Sequence, residues 1–333
     1  MPRGHRPRAS DDRAAGPLLR PLPAGQGGRP MTGGPGPGPG PGPGCEPGPG
    51  TGPGTAGVRH RAWPWCRRCS GIALDLGSAR TRAWVSGRRM ILDVPTVTFP
   101  GDGATYPIQR GTIVDTAGTA RMLDRLLRPR LPRFGRPLLI LTTPVLGGVA
   151  YRAEARAAVE VLRPRTVLTV PAARAVAEAA DADLAHPVLV VDLGAHVTEV
   201  TLLTDGAVTD ARRTALGTSD LDCLAPPAQL TDAVAAMVTG MLDQDSTSQM
   251  SDALRRGALL AGGGALRPDV TWHLTGRLQV PVRLVPSPHT AAVRGAAKLL
   301  RAAHGHPSAT PGTADAAHHR WPGPVHGPKE TRC

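Results

Sequence analysis

Aromatic residues are scarce in this chain: five Trp, two Tyr and two Phe among 333 residues. Too few are interleaved with the basic residues to stack bases, and no recognition-helix pattern occurs, so nucleic acid is not expected as a partner. No apolar run reaches 18 residues, which excludes a membrane-spanning helix. Disulfide scaffolding is excluded as well. The five cysteines (Cys45, Cys66, Cys69, Cys223, Cys333) are odd in number and scattered, as suits a reducing compartment. Cys66-Arg-Arg-Cys69 has no second pair to complete a zinc site, and it precedes the first strand instead of opening a helix as a redox motif would. The N-terminal segment lacks the apolar centre of a secretory signal, so a cytoplasmic location is expected.

Glycine and proline, by contrast, are abundant, at 41 and 36 residues. They concentrate in residues 1–70, which carry the run GGPGPGPGPGPG and ten Arg against three acids. Such a segment buries too little apolar surface to offset its ordering entropy, so it is expected to be a disordered arm, and 303–333 a disordered tail. The arm contributes about half of the net charge of +13. A basic arm suits an anionic surface. A solvated Arg-rich extension, or a start codon placed too far upstream, explains it equally well.

Between these ends, short β-rich runs alternate with Ala-rich helical patterns. Strands are predicted at 71–76, 81–86, 138–143, 166–170, 188–193, 197–203, 207–213, 257–261 and 281–285. Helices are predicted at 117–128, 149–162, 171–181, 229–243, 250–256, 268–275 and 288–303. Met122, Leu123, Leu126 and Leu127 form one apolar stripe. Pro171 and Ser287-Pro288 read as helix starts. Hairpins mixed with helical crossovers imply α/β layers with mixed sheets.

One phrase occurs twice. Residues 72–82 read IALDLGSARTR and residues 189–199 read LVVDLGAHVTE, with Asp75 and Asp192 in register. Each Asp ends an apolar strand, where an unpaired carboxylate is costly and a divalent cation or its waters would offset the cost. Gly77 and Gly194 let the backbone turn so that the N–H groups of Ser78 and Ala79, or Ala195 and His196, can face an anion. Thr81 and Thr198 are expected to set hydroxyls beside the same point. A third element, Leu260-Ala-Gly262-Gly263-Gly264-Ala265, runs from a strand through three glycines toward a helix and suits close approach to a sugar or phosphate.

These motifs, in unbroken order over about 71–302, resemble the actin/Hsp70/sugar-kinase superfamily and, within it, the bacterial rod-shape proteins MreB and Mbl. The carriers are Asp75-Leu-Gly-Ser-Ala-Arg-Thr, Pro107-Ile-Gln-Arg-Gly-Thr-Ile-Val-Asp, Asp192-Leu-Gly-Ala-His-Val-Thr-Glu-Val, Leu260-Ala-Gly-Gly-Gly-Ala-Leu and Pro288-His-Thr-Ala-Ala-Val-Arg-Gly-Ala. The resemblance implies a two-lobed actin-like (ribonuclease H-like) α/β ATPase fold. Lobe I spans 71–145 and is completed by the helix at 288–302; the rest of lobe I and lobe II fall within 146–287. It also implies ATP as ligand and Mg²⁺ held through water at Asp75 and Asp192, with Asp192 and Thr198 as candidate catalytic groups. Self-association or a filament with a related protein, the cell-wall synthesis machinery and the inner membrane face follow as implied partners.

The departures from that pattern bear on activity. The second turn is Gly194-Ala195-His196 where the family has three glycines, and Val197-Thr198 replaces Thr-Thr. Tyr151 stands where the family places the glutamate that orients water, with Glu154 out of register, and Val170 replaces a second glutamate. Short connections, 95–111 and 222–262, imply shortened outer subdomains. The resulting expectation is a scaffold of cell-wall or spore-wall morphogenesis whose ATP hydrolysis is weak or lost. An active ATPase filament is the alternative, and a small-molecule kinase the least supported.

Overall fold

The computed structural model describes residues 70–305, apart from 89, 102, 134 and 222–225. Two five-stranded sheets are built to one plan. The first has the order β3-β2-β1-β6-β7, from β1 (Gly71–Leu76), β2 (Arg80–Val85), β3 (Ile91–Pro95), β6 (Leu138–Thr143) and β7 (Thr166–Pro171). The second has the order β10-β9-β8-β11-β12, from β8 (Val188–Leu193), β9 (Thr198–Thr204), β10 (Ala207–Thr214), β11 (Ala258–Ala261) and β12 (Val282–Leu284). In each, three antiparallel strands continue into three parallel ones that share the Asp-bearing strand. The duplicated phrase is therefore a duplicated lobe, and the expected two-lobed α/β architecture with mixed sheets is the one observed.

Helices fill three layers around the sheets. On the outer face of the first lie α1 (Thr116–Leu127) and α2 (Gly148–Val159), around Ile72, Leu74, Leu123, Leu139 and Val159. On the outer face of the second lie α5 (Pro227–Gln244), α6 (Gln249–Arg256) and α7 (Pro268–Leu278), around Leu189, Val191, Leu230, Val234 and Leu274. Between the sheets lie α3 (Ala172–Ala179) and α8 (Ala291–Gly305). The first packs on Val188 and Val190; the second packs on Ala73, Leu138 and Ile140. Their crossing is close because small residues face each other: a Cβ at Gly295 would fall on the carbonyl oxygen of Ala175. A four-residue helix, α4 (Thr218–Leu221), completes the set.

Every predicted strand and helix has a counterpart, with ends shifted by a few residues. The α1 stripe is buried at Met122, Leu123 and Leu127, and Asp115 caps that helix by accepting from the Gly118 N–H at 2.7 Å. Two helix starts differ from expectation. Pro171 closes β7, so α3 begins one residue later, and Ser287 takes a left-handed backbone without capping through its side chain. The edge strand β3 escaped the pattern because Asp93 interrupts it and proline ends it, which an edge tolerates.

In place of the first outer subdomain there is a bridge between Thr98 and Thr105 and a two-stranded hairpin, β4 (Ile108–Gln109) and β5 (Thr112–Ile113). Helix α8 continues through Gly305, into the tail expected from 303. The rest of that tail, the arm over 1–69 and all five cysteines lie outside the described residues. Among the described residues no helix is long and apolar enough to cross a membrane.

Candidate functional site

The two Asp-bearing turns face one another. In each, the glycine N–H closes the turn onto the carbonyl three residues on: Gly77 to Arg80 at 3.1 Å and Gly194 to Val197 at 2.9 Å. A Cβ would lie 2.8 Å from that oxygen at Gly77 and 2.5 Å at Gly194, so both turns need glycine for close approach. Asp75, Gly77, Ser78 and Ala79 from one lobe, and Asp192, Gly194, Ala195 and His196 from the other, line a single cleft of about 380 Å³. That volume is in the range of small-ligand sites. Ala195 and His196 do not take up a left-handed backbone, so neither position requires glycine for its φ. The His196 imidazole stands in the cleft wall with its Nδ1 buried and without a hydrogen-bond partner among the described residues.

The threonines are placed otherwise than expected. Thr81 and Thr198 are buried on the opposite faces of their strands, away from the carboxylates. The cause is the two-residue period of a strand. Asp75 pairs in register with Arg82 and Asp192 with Glu199, so each threonine, one residue earlier, points outward from the cleft. The Thr81 hydroxyl bonds to that of Thr96 at 2.9 Å, and the Thr198 hydroxyl has no partner among the described residues. The direct neighbours of the carboxylates are thus Arg82 and Glu199. Strand register alone would have pointed to both.

Of the glycine triplet and its following residue, only Gly263 reaches the cleft. Gly262, at φ +87°, packs against the end of β8, where a Cβ would strike the Leu193 carbonyl and the Asp192 carboxylate. A Cβ at Gly264 would meet Thr218 at 2.6 Å, and Ala265 is buried in the core behind. For these three the sequence signal marks close packing of backbone on strand.

The electrostatics are unequal across the cleft. The Asp75 carboxylate accepts from the Thr142 hydroxyl at 2.8 Å and lies 3.7 Å from the Arg82 guanidinium, which also approaches Asp93 at 3.3 Å. Glu199 is buried, and its two oxygens accept from the backbone N–H groups of Val145 at 3.0 Å and Leu146 at 3.1 Å, joining the second lobe to the first. Among the described residues Asp192 has no such partner. Burial, then the charges of Asp75 and Glu199, push its pKa up to about 7, only partly offset by Arg82.

This donor set does not fit the Mg²⁺ expected at Asp75 and Asp192. One carboxylate is matched by a guanidinium, a second accepts a backbone N–H at each oxygen, and the third is enclosed beside the other two. Among the described residues no three His, Cys, Asp or Glu side chains gather as metal ligands.

Tyr151, in α2, is buried, and its hydroxyl donates to the Leu76 carbonyl at 3.0 Å; burial raises its pKa further. A phenol so fixed neither accepts a proton nor orients a water. Glu154 is exposed on α2 and bonded to Thr116, and it is absent from the cleft lining.

A strap from the reduced outer subdomain crosses the cleft mouth. The Gly111 N–H donates to the Ser78 hydroxyl at 2.8 Å. Arg110 donates to the Ala215 carbonyl at 3.1 Å and to the buried Asp220 carboxylate at 2.7 Å, while Arg213 donates to the Arg110 carbonyl at 2.9 Å. Asp220 also accepts from the buried Gly217 N–H at 2.9 Å. Burial raises the Asp220 pKa, but the bonds from Arg110 and Gly217 outweigh it and hold the carboxyl below the usual range. Asp220→Ala removes the strap's anchor and orphans a buried N–H, so about 2 kcal/mol of stability should be lost. Urea unfolding measures that loss, and limited proteolysis should cut faster within 106–115 than in the wild type.

Two duplicated mixed sheets, paired helices between them and a cleft flanked by two Asp-Leu-Gly turns define the actin-like fold. No family model matches the sequence, and no curated protein does. Solved structures do match in fold. MreB5 of Spiroplasma citri bound to ADP superposes with a TM-score of 0.61 at 14% identity, over 72% of this chain and 100% of that one. The MamK double helical filament matches with a TM-score of 0.57 at 15% identity, over 69% and 98%. The ethanolamine utilization protein EutJ from Carboxydothermus hydrogenoformans matches at 0.51 and 14%, over 68% and 89%.

Proposed function

We propose that this protein is an MreB-like scaffold that self-associates through its actin-like core, holds ATP or ADP in the interlobe cleft and hydrolyses it slowly or not at all. The observation that carries the reading is Tyr151. Where the sequence resemblance expects a water-orienting glutamate, a buried phenol is tied to the Leu76 carbonyl beside the first turn. The preserved pair of Asp turns lining one cleft supports retained nucleotide binding. Solved MreB5 structures bound to ADP and to AMPPNP support the ligand class, and the MamK filament supports self-association. A role with the wall-synthesis machinery at the inner membrane face follows from the sequence resemblance to rod-shape proteins, with the basic arm as its local support.

The test uses the full chain. ADP should bind in calorimetric titration, sedimentation should grow with protein concentration, and phosphate release from ATP should stay at the rate of a protein-free control. Steady ATP turnover would overturn the scaffold reading in favour of an active filament ATPase. Failure both to bind nucleotide and to sediment would end it altogether.

A further inference from the structure

The cleft supplies its own cations. Arg82 lies opposite Asp75 on the paired strand, where a carboxylate at a nucleotide site would otherwise address a hydrated metal. Its guanidinium is largely enclosed and lies between Asp75 and Asp93, at 3.7 and 3.3 Å. A guanidinium is charged at every physiological pH and presents a fixed fork of donors. In the other lobe the equivalent strand position is Glu199, and both of its oxygens are consumed by the N–H groups of Val145 and Leu146. Asp75 is thus charge-matched within the protein and Glu199 is hydrogen-bonded at both oxygens, so neither presents an uncompensated carboxylate to the waters of a Mg²⁺, an ion that surrenders its hydration shell reluctantly.

The second cation is Arg213 on β10. It lines the same cleft beside the Ser78 turn and Gly111, and its one hydrogen-bond acceptor among the described residues is the neutral carbonyl of Arg110. No carboxylate pairs with it among the described residues. A guanidinium left unneutralised in a cleft bordered by two glycine turns is suited to an anion with several oxygens, because its fork matches phosphate oxygens two at a time.

Resting on the nucleotide-binding reading above, we infer that the cleft holds the phosphates of a nucleoside diphosphate without a divalent cation, Arg82 standing in for the metal at Asp75 and Arg213 contacting the phosphate oxygens. The strap borders the site, since the Arg110 carbonyl accepts one N–H of Arg213 and leaves the other donors of that guanidinium for phosphate.

The experiment is calorimetric titration of the full chain with ADP, once in MgCl₂ and once in EDTA. The wild type should bind with the same affinity in both. Arg213→Met should weaken binding about tenfold or more in both, the scale of one charge-assisted contact, while Arg213→Lys should retain most of it. Arg82→Met should create a metal dependence that the wild type lacks, because Asp75 is then left without its counter-charge: binding should fall in EDTA and recover in MgCl₂. Circular dichroism establishes that each variant is folded. Wild-type binding seen only with MgCl₂ overturns the inference and leaves the nucleotide reading intact. Absence of binding in both buffers overturns the two together, and undiminished affinity in folded Arg213→Met removes Arg213 from the site.

Discussion

Gly295→Ala is expected to destabilise the protein by about 2 kcal/mol or more, although alanine is the better helix former. Propensity alone predicts the opposite sign, a gain of about 1 kcal/mol. The difference lies in the α3–α8 crossing, where the new methyl would land on the carbonyl oxygen of Ala175. That neighbour is helix backbone, which cannot swing aside as a side chain can. The two helices must part, and they form the layer between the sheets: α3 carries Ala173, Val176 and Ala177 against β8, and α8 carries Val293, Ala296 and Leu300 against β1 and β6. Overpacking a close-packed site of this kind costs about 1–3 kcal/mol or more. Gly240→Ala in α5 is the control. Nothing lies near its missing Cβ, so it should be neutral or gain up to about 1 kcal/mol. Urea unfolding of the two variants decides the matter, and a stabilised Gly295→Ala would show that the crossing is looser than described.

Asp192→Asn should raise stability above neutral pH and leave it nearly unchanged in acid. Burial, together with Asp75 and Glu199, lifts the Asp192 pKa from 3.8 to about 7, so the folded chain holds a proton that the unfolded chain has already released. Between about pH 4 and pH 7 the folded state thus binds more protons, and stability falls as pH rises through that window. The full linkage is on the order of 4 kcal/mol, and relaxation around the charge brings the expected gain of the variant at pH 8 to about 2 kcal/mol. His304 has its pKa lowered by burial and contributes a slope of opposite sign below its ordinary value of 6.5. The informative quantity is therefore the difference between wild type and variant at each pH. Parallel stability profiles from pH 4 to pH 8 would show that the Asp192 carboxyl is not under this strain. If the cleft closes over phosphate without a metal, the same protonation would relieve repulsion between Asp192 and the ligand, so ADP affinity should rise as pH falls toward 6.

Much of this protein can be read along one dimension. The helices over 116–127 and 227–244 follow from apolar periodicity, and the repeated Asp-Leu-Gly turns announce two matching hairpins because each needs a glycine at a fixed offset from a strand-ending carboxylate. The side of the strand was legible too, through alternation, but Thr81 and Thr198 looked functional by residue type while their register turned them into the core. Ala195 and His196 stand where the resembled motif has glycines, and the turn accommodates them without a positive φ.

What the chain dictated by itself is the local grammar: which segments become strands and helices, where the backbone must turn tightly, and that one hairpin is used twice. Those are short-range consequences of side-chain shape and spacing. Which groups meet in the cleft was decided only by tertiary packing. Arg110 reaches Asp220 and Ala215 across more than a hundred residues, Glu199 seizes the N–H groups of Val145 and Leu146, and Arg213 arrives beside Ser78 and Gly111 from the opposite lobe. No periodicity encodes such contacts, because they depend on how two separately folded sheets are pressed together by α3 and α8.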